Sequence, residues 1–184
     1  ALNDGSKRPV MVWFHGGDFS SLSGSRSVFD GTRLSRRGDV VVVTLNHRLN
    51  AFGFLYLGQL LPEFAGDANP GMLDLVAALE WVRDNIEGFG GDAGNVTIFG
   101  ESGGGAKVAY LMAMPSAKGL FHKAIIQSAG FRAADPTGAE RATAKVLKEL
   151  AIDKTSLSRL ADVPMDKLLA VMSAVTKAEN GNDY

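Results

Sequence analysis

The 184-residue chain has no cysteine and only three histidines. Without cysteine there are no disulfides and no thiolate metal ligands, and the compartment stays open between cytoplasm and secretion. No histidine falls at metal-ligand spacing from carboxylates, so neither a metal nor any other cofactor is expected. Nineteen Lys and Arg against 20 Asp and Glu leave a net charge of −1, too small a field to gather nucleic acid or anionic lipid. Basic runs interleaved with aromatics are also missing, which argues against a nucleic-acid face. No apolar stretch reaches about 18 residues, so no segment is expected to span a membrane. The chain has no internal repeat, no low-complexity tract and no flexible linker. It does not open on methionine, so the lack of a visible leader carries no weight.

What is present is a globular composition, 46% hydrophobic, arranged in alternating patterns. Short apolar runs at Val10–Phe14, Val40–Leu45, Val96–Phe99 and Ala124–Gln127 read as strands. Each is nearly continuous in hydrophobicity, as parallel strands covered on both faces are. Between the second and third runs, Leu75, Leu79, Val82 and Ile86 recur at helical spacing and predict a helix over Met72–Ile86, opened by Pro70-Gly71 and followed by Gly88. A further helix is expected over Ser102–Met114, stopped by Pro115. Strand and helix therefore alternate, the pattern of an α/β protein with a doubly wound, mostly parallel sheet.

Two glycine turns follow strands. Val96-Thr97-Ile98-Phe99 runs into Gly100-Glu101-Ser102-Gly103-Gly104, a G-x-S-x-G string between a strand and a helix. Alone, that string means little in a chain with 22 glycines. In this setting it describes a tight elbow that strains the serine backbone, lifts Ser102 Oγ above the sheet and puts a helix N-terminus beside it. The other turn, His15-Gly16-Gly17, ends the Val10 strand. Its backbone N–H groups suit a second wall of an oxyanion hole, completed by the N–H of Gly103.

These residues carry a resemblance to the type-B carboxylesterases, the family that includes cholinesterases and related lipases. The matching stretches are Pro9 to Gly17, Asn46-His47-Arg48 through Gly53-Phe54-Leu55, Ala78 to Ile86, Phe89-Gly90-Gly91-Asp92 through Asn95 to Ser102, and Leu120 to Gly130. The resemblance implies a partial α/β-hydrolase fold, with helices on both faces of the sheet and with amino-terminal strands and a carboxyl-terminal part lying outside the chain. It further implies hydrolysis of small or medium neutral carboxylic esters through an acyl-enzyme. By position, Ser102 matches the nucleophile and Glu101 the supporting acidic neighbour. Gly17, Asp18 and Gly103 match the oxyanion hole, and Arg48 and Asp74 match a structural ion pair. Asp18 stands where the family usually has a third glycine, and its carboxylate is expected to point away from the hole. Gly103 stands where alanine is common.

In this fold the triad runs Ser, acid, His along the chain. Only His122 follows Ser102, and it precedes a strand, at the wrong end for chemistry. His15 is expected to orient its turn, and His47 to bond locally. The triad acid and histidine are therefore expected beyond Tyr184, with residues 1–184 forming one incomplete hydrolase domain. Within it, 137–184 is expected to be a helical extension, with stripes at Ala139, Ala142, Val146, Leu150 and at Met165, Leu168, Leu169, Met172, Val175 that face absent partners. Thr176–Tyr184 is expected to fray. The loops Asp18–Gly31 and Gly53–Gly71 are long, and either rim the ester pocket or anchor to the core. Asn95-Val96-Thr97 fits a glycosylation sequon but reads better as turn-to-strand chemistry. Two rival readings are a non-catalytic, cholinesterase-like adhesion domain and an inactive fragment. Acyl and alcohol specificity and oligomeric state are not encoded in these patterns.

Overall fold

A computed structural model of the chain describes residues 5–58, 60, 69–130 and 135–180. Four parallel strands form one sheet: β1 (Arg8–Phe14), β2 (Val41–Thr44), β3 (Gly91–Glu101) and β4 (Lys123–Gln127), in the order β2-β1-β3-β4. This is the expected partial α/β-hydrolase architecture. Val10, Val12 and Phe14 of β1 and Val96 and Ile98 of β3 are fully buried, so the two central strands carry the core. On the other side of β1, Trp13 packs against Phe29 and Phe99, with ring centroids 5.2 and 4.9 Å away.

The outer strands depart from the expectation of cover on both faces. β2 is only partly buried, and β4 leaves Ile125 and Ile126 more than 40% exposed. Both lie at the edges of the described sheet, where no further strand flanks them.

The chain runs from β1 outward to β2, then crosses back to β3 on the opposite side of β1. The sheet therefore reverses its winding between β1 and β3. The crevice beyond the carboxyl ends of those two strands is where such sheets bind ligands. Register aligns the two ends, with Trp13 beside Phe99 and Phe14 beside Gly100. Both glycine turns thus leave the sheet side by side.

Helix α1 spans Thr32–Gly38, α2 Ala51–Phe54, α3 Pro70–Asn85, α4 Gly103–Ala113, α5 Pro136–Glu149 and α6 Met165–Asn180. α4 packs on β1, β3 and β4, and α1 on β2. α3 buries Leu75, Leu79 and Val82 as its spacing requires, and Ile86 is buried in the 3-10 turn that continues it. α1 escapes the sequence pattern because none of its residues is buried. Among the described residues, no helix is long and apolar enough to cross a membrane.

By contacts the chain divides into two units, Ala1–Arg48 with Gly71–Arg132, and Leu49–Pro70 with Ala133–Tyr184. The second unit has its own core. Val146, Leu147, Leu150, Ile152, Leu157, Leu168 and Val175 gather around Leu55, with Leu57, Leu60, Val171 and Met172 against them. The stripes of α5 and α6 therefore meet each other rather than absent partners. Met165 and Leu169 do not belong to the buried stripe. They are 64% and 36% exposed, because the face of α6 that turns inward is Leu168, Val171, Met172 and Val175. Of the stretch expected to fray, residues 176–180 continue α6, and residues 181–184 lie outside the described residues. In the Gly53–Gly71 loop, Leu55, Leu57 and Leu60 serve as anchors, while Leu61 and Phe64 lie outside the described residues.

Candidate active site

Ser102 sits between β3 and α4 with φ 54° and ψ −125°, outside the ordinary regions for a residue with a Cβ. Such a conformation costs about 1–3 kcal/mol and persists only where its surroundings fix it. Here they do. Its N–H donates to Gln127 O at the end of β4 (2.9 Å), and its carbonyl accepts from Ala106 N–H (3.0 Å), the first bond of α4. Ser102 is thus the N-cap rather than the first helical residue. The bend is sharp enough that a methyl on Gly100 would lie 2.5 Å from the Gly104 carbonyl carbon.

The turn after β1 closes against this elbow. A methyl on Gly16 would lie 3.5 Å from Ser102 Cβ and 3.3 Å from Glu101 Oε2. A methyl on Gly103 would lie 2.6 Å from Asp18 N, leaving no room there for any side chain. The backbones of Gly103 and Asp18 are therefore in direct contact beside Ser102. Gly17 and Asp18 both have positive φ, 78° and 53°. Aspartate is among the few non-glycine types that tolerate this region. Its side chain is exposed.

Four other residues singled out in the sequence pair off in the structure. Arg48 and Asp74 form a two-point ion pair, with Nη2–Oδ1 2.7 Å and Nε–Oδ2 2.9 Å. Arg48 N–H adds a bond to the same carboxylate at 2.8 Å. Those bonds hold the Asp74 carboxyl below the usual carboxylate range. His15 and His47 stack at 5.0 Å, almost parallel, beneath the turn. Each ring, as the Nδ1–H tautomer, donates to a carbonyl of its own loop, His15 to Gly16 O (2.8 Å) and His47 to Arg48 O (2.9 Å). His122 lies at the far end of the sheet, where its Nδ1 accepts from Val96 N–H (3.1 Å). Asn95 accepts from the Lys123 ammonium at 2.7 Å at the start of the same pair of strands.

Burial lowers the pKa of both stacked imidazoles, that of His47 to about 4. In the unfolded chain His47 takes up its proton near pH 6.5. Between these values the unfolded state binds more protons, so the contribution of His47 to stability is full above pH 6.5 and is lost as pH falls toward 4. His47 is only half-buried, so after solvent screening the loss is on the order of 1 kcal/mol. Thermal unfolding midpoints measured at pH 7 and pH 4.5 should therefore differ less in His47→Gln than in the wild-type protein. An equal or larger difference would refute this assignment.

The residue that sequence reasoning missed is Lys107. It is fully buried in α4, and its ammonium donates to Asp18 O at 2.6 Å and His15 O at 3.3 Å. The available signal was its place on the stripe that Gly103, Gly104 and Leu111 bury one turn before and after it.

A cleft of about 930 Å³ lies elsewhere, against β2, lined by Arg8, Arg26, Ser27, Thr32, Thr44 and Phe89. Ser102 does not line it. Among the described residues, no group of three His, Asp or Glu side chains is placed to hold a metal.

Comparison with known proteins gives this geometry a family. The family model described as "Carboxylesterase family" matches residues 1–182. Para-nitrobenzyl esterase of Bacillus subtilis (strain 168) is 47% identical over 176 residues, covering 96% of this chain and 36% of that protein. A solved thermophilic PNB esterase superposes with TM-score 0.88 at 46% identity, over 95% of this chain and 36% of its own. The Geobacillus stearothermophilus carboxylesterase EST55 does so with TM-score 0.86 at 42% identity, over 95% and 37%. The chain thus spans little more than a third of the length of these relatives. A serine elbow and a glycine turn meeting at the winding reversal of a parallel sheet, together with matches of this extent, place the chain in the carboxylesterase family.

Proposed function

We propose that the protein containing this chain is a serine carboxylesterase acting on small or medium neutral esters, with Ser102 as the nucleophile. One observation carries the reading: Ser102, in a strained conformation at the winding reversal, stands against a turn whose Asp18 backbone touches Gly103. In this reading Ser102 Oγ attacks the ester carbonyl. The N–H groups of Gly17, Asp18 and Gly103 receive the oxyanion, and each such donor is worth about 10²–10³ in rate. Glu101 supports the elbow from the end of β3, its carboxylate turned toward Gly16. Loss of the alcohol leaves an acyl-serine, which water then hydrolyses.

The proton of Ser102 needs an acceptor. Among the described residues no hydrogen bond joins His15 or His47 to Ser102 Oγ, burial lowers the basicity of both rings, and His122 is at the opposite end of the sheet. The histidine and its acid are assigned to the remainder of a protein of the relatives' length. Para-nitrobenzyl esterase and the carboxylesterases lend their named ester chemistry to the proposal.

The test is a fluorophosphonate probe applied to the full-length protein, with the adduct located by peptide mass mapping. One label per chain on Ser102, appearing in step with loss of p-nitrophenyl acetate hydrolysis, is expected. Complete inactivation with the label on another residue would defeat the proposal.

A further inference from the structure

Lys107 is the one charged side chain fully buried among the described residues, and it is buried in an expensive place. It lies in the second turn of α4, near the electropositive end of a helix, where a cation gains nothing from the helix dipole. An apolar side chain would fill the space without desolvating a charge. What the ammonium does there is bracket the oxyanion turn. It donates to the carbonyls of His15 and Asp18, one before the glycines and one after, and stands 5.0 Å from the centre of the Phe19 ring.

The carbonyls between are taken as well. Gly16 O accepts from His15 Nδ1, and Gly17 O accepts from the N–H groups of Ser20 (3.2 Å) and Ser21 (3.1 Å). Every backbone carbonyl from residue 15 to 18 is thus engaged. Among the described residues, neither the Gly17 nor the Asp18 N–H donates to anything. The hydrogen bonds that hold the turn thus run through its carbonyls, which leaves these two N–H groups for a ligand.

We propose that Lys107 is a positioning residue for the oxyanion turn, its ammonium clamping the backbone that presents the Gly17 and Asp18 N–H groups beside Ser102. None of its hydrogen bonds reaches Ser102 Oγ, so it is not the general base. Its positive charge behind the donors also favours the negative charge that forms on the substrate oxygen.

The clamp titrates within reach of ordinary assays. Burial pushes the Lys107 pKa down to about 8, against the opposing pull of the Asp18 carboxylate. His15 and His47 face it as neutral rings that feel its charge, and Glu101 borders the same turn at Gly16. Above pH 8 the charge is lost and catalysis weakens. Stability moves the other way. From about pH 8 to the unfolded value of 10.5 the unfolded chain binds the extra proton, so the contribution of Lys107 to stability rises with pH. An alkaline loss of activity from this source is therefore not unfolding.

The inference rests on Ser102 being the nucleophile, and the experiment separates the two. In the full-length protein, kcat and KM for p-nitrophenyl acetate are measured from pH 6 to 10 for wild type, Lys107→Met and Asp18→Asn, each titrated with the fluorophosphonate probe. Wild-type kcat should fall with an apparent pKa near 8. K107M should lose tenfold or more in kcat at pH 7 with KM within about threefold, and should lack the alkaline limb. D18N, which keeps a residue tolerant of positive φ at an exposed site, should move the limb to lower pH because the carboxylate no longer supports the charge. Normal labelling of Ser102 with an unaltered K107M profile would overturn the clamp alone. If K107M does not fold, an unshifted limb in D18N overturns it. Absence of label on Ser102 in active wild type would instead remove the reading beneath it.

Discussion

Ser102→Ala in the full-length protein should lower kcat for p-nitrophenyl acetate by about 10⁵–10⁶, the cost of losing a nucleophile that acts as one unit with its base. The residual rate should stay about 10³–10⁴ above the uncatalysed reaction, because the turn and the helix N-terminus remain to bind the oxyanion. KM should change little. Stability should change little too, since alanine keeps a Cβ at φ 54° and so keeps the strain, while no hydrogen bond of the side chain caps α4. Ser102→Gly separates the two properties. Glycine adopts that φ freely, so the variant should lose activity equally while gaining up to about 1 kcal/mol of stability. Paired kinetics and denaturant unfolding would check both. Turnover within tenfold of wild type in S102A would mean the chemistry lies elsewhere.

The two glycine turns were more legible in the sequence than their surroundings, and the reason is physical. Tight turns such as these are made by backbone, so their requirements appear as glycines at fixed positions after apolar strands. The ion pair of Arg48 and Asp74, by contrast, was visible only through resemblance, because 26 residues separate the partners and nothing local marks them. α1 was not legible because a helix that buries no side chain leaves no periodicity. The α6 stripe was drawn off-centre because Leu168 and Leu169 are both apolar, and only packing against α5 decides which one turns inward. Lys107 was passed over for a related reason. A lysine in a helix is ordinarily solvated, and only the tertiary approach of the His15 and Asp18 carbonyls converts this one into a buried clamp. Edge exposure of β4 was equally out of reach, since apolar runs report what a strand can bury and not which neighbours flank it.

Gly104→Ala should be the most damaging single methyl that can be added to this region. The new Cβ would overlap Phe14 O and stand 3.0 Å from the His15 carbonyl carbon. Both are backbone at the end of β1, held by the register that pairs Phe14 with Gly100, so no side chain can rotate away. Either α4 lifts from β1 or the oxyanion turn moves. Overpacking of this kind costs about 1–3 kcal/mol where side chains can yield, and more where they cannot, so a loss of about 3 kcal/mol or above is expected. Activity should fall further than stability implies. A shift of about 1 Å between nucleophile and oxyanion donors costs on the order of 10² in rate even in the folded fraction. Gly88→Ala is the matched control, because a methyl there meets nothing within 4 Å and the backbone φ is ordinary. It should change stability by no more than about 0.5 kcal/mol and leave kcat alone. Denaturant midpoints and fluorophosphonate-titrated kcat for the two variants decide the matter. If G104A matched G88A in both, the close approach of α4 to the end of β1 would be refuted, and with it the geometry that brings Ser102 to the turn.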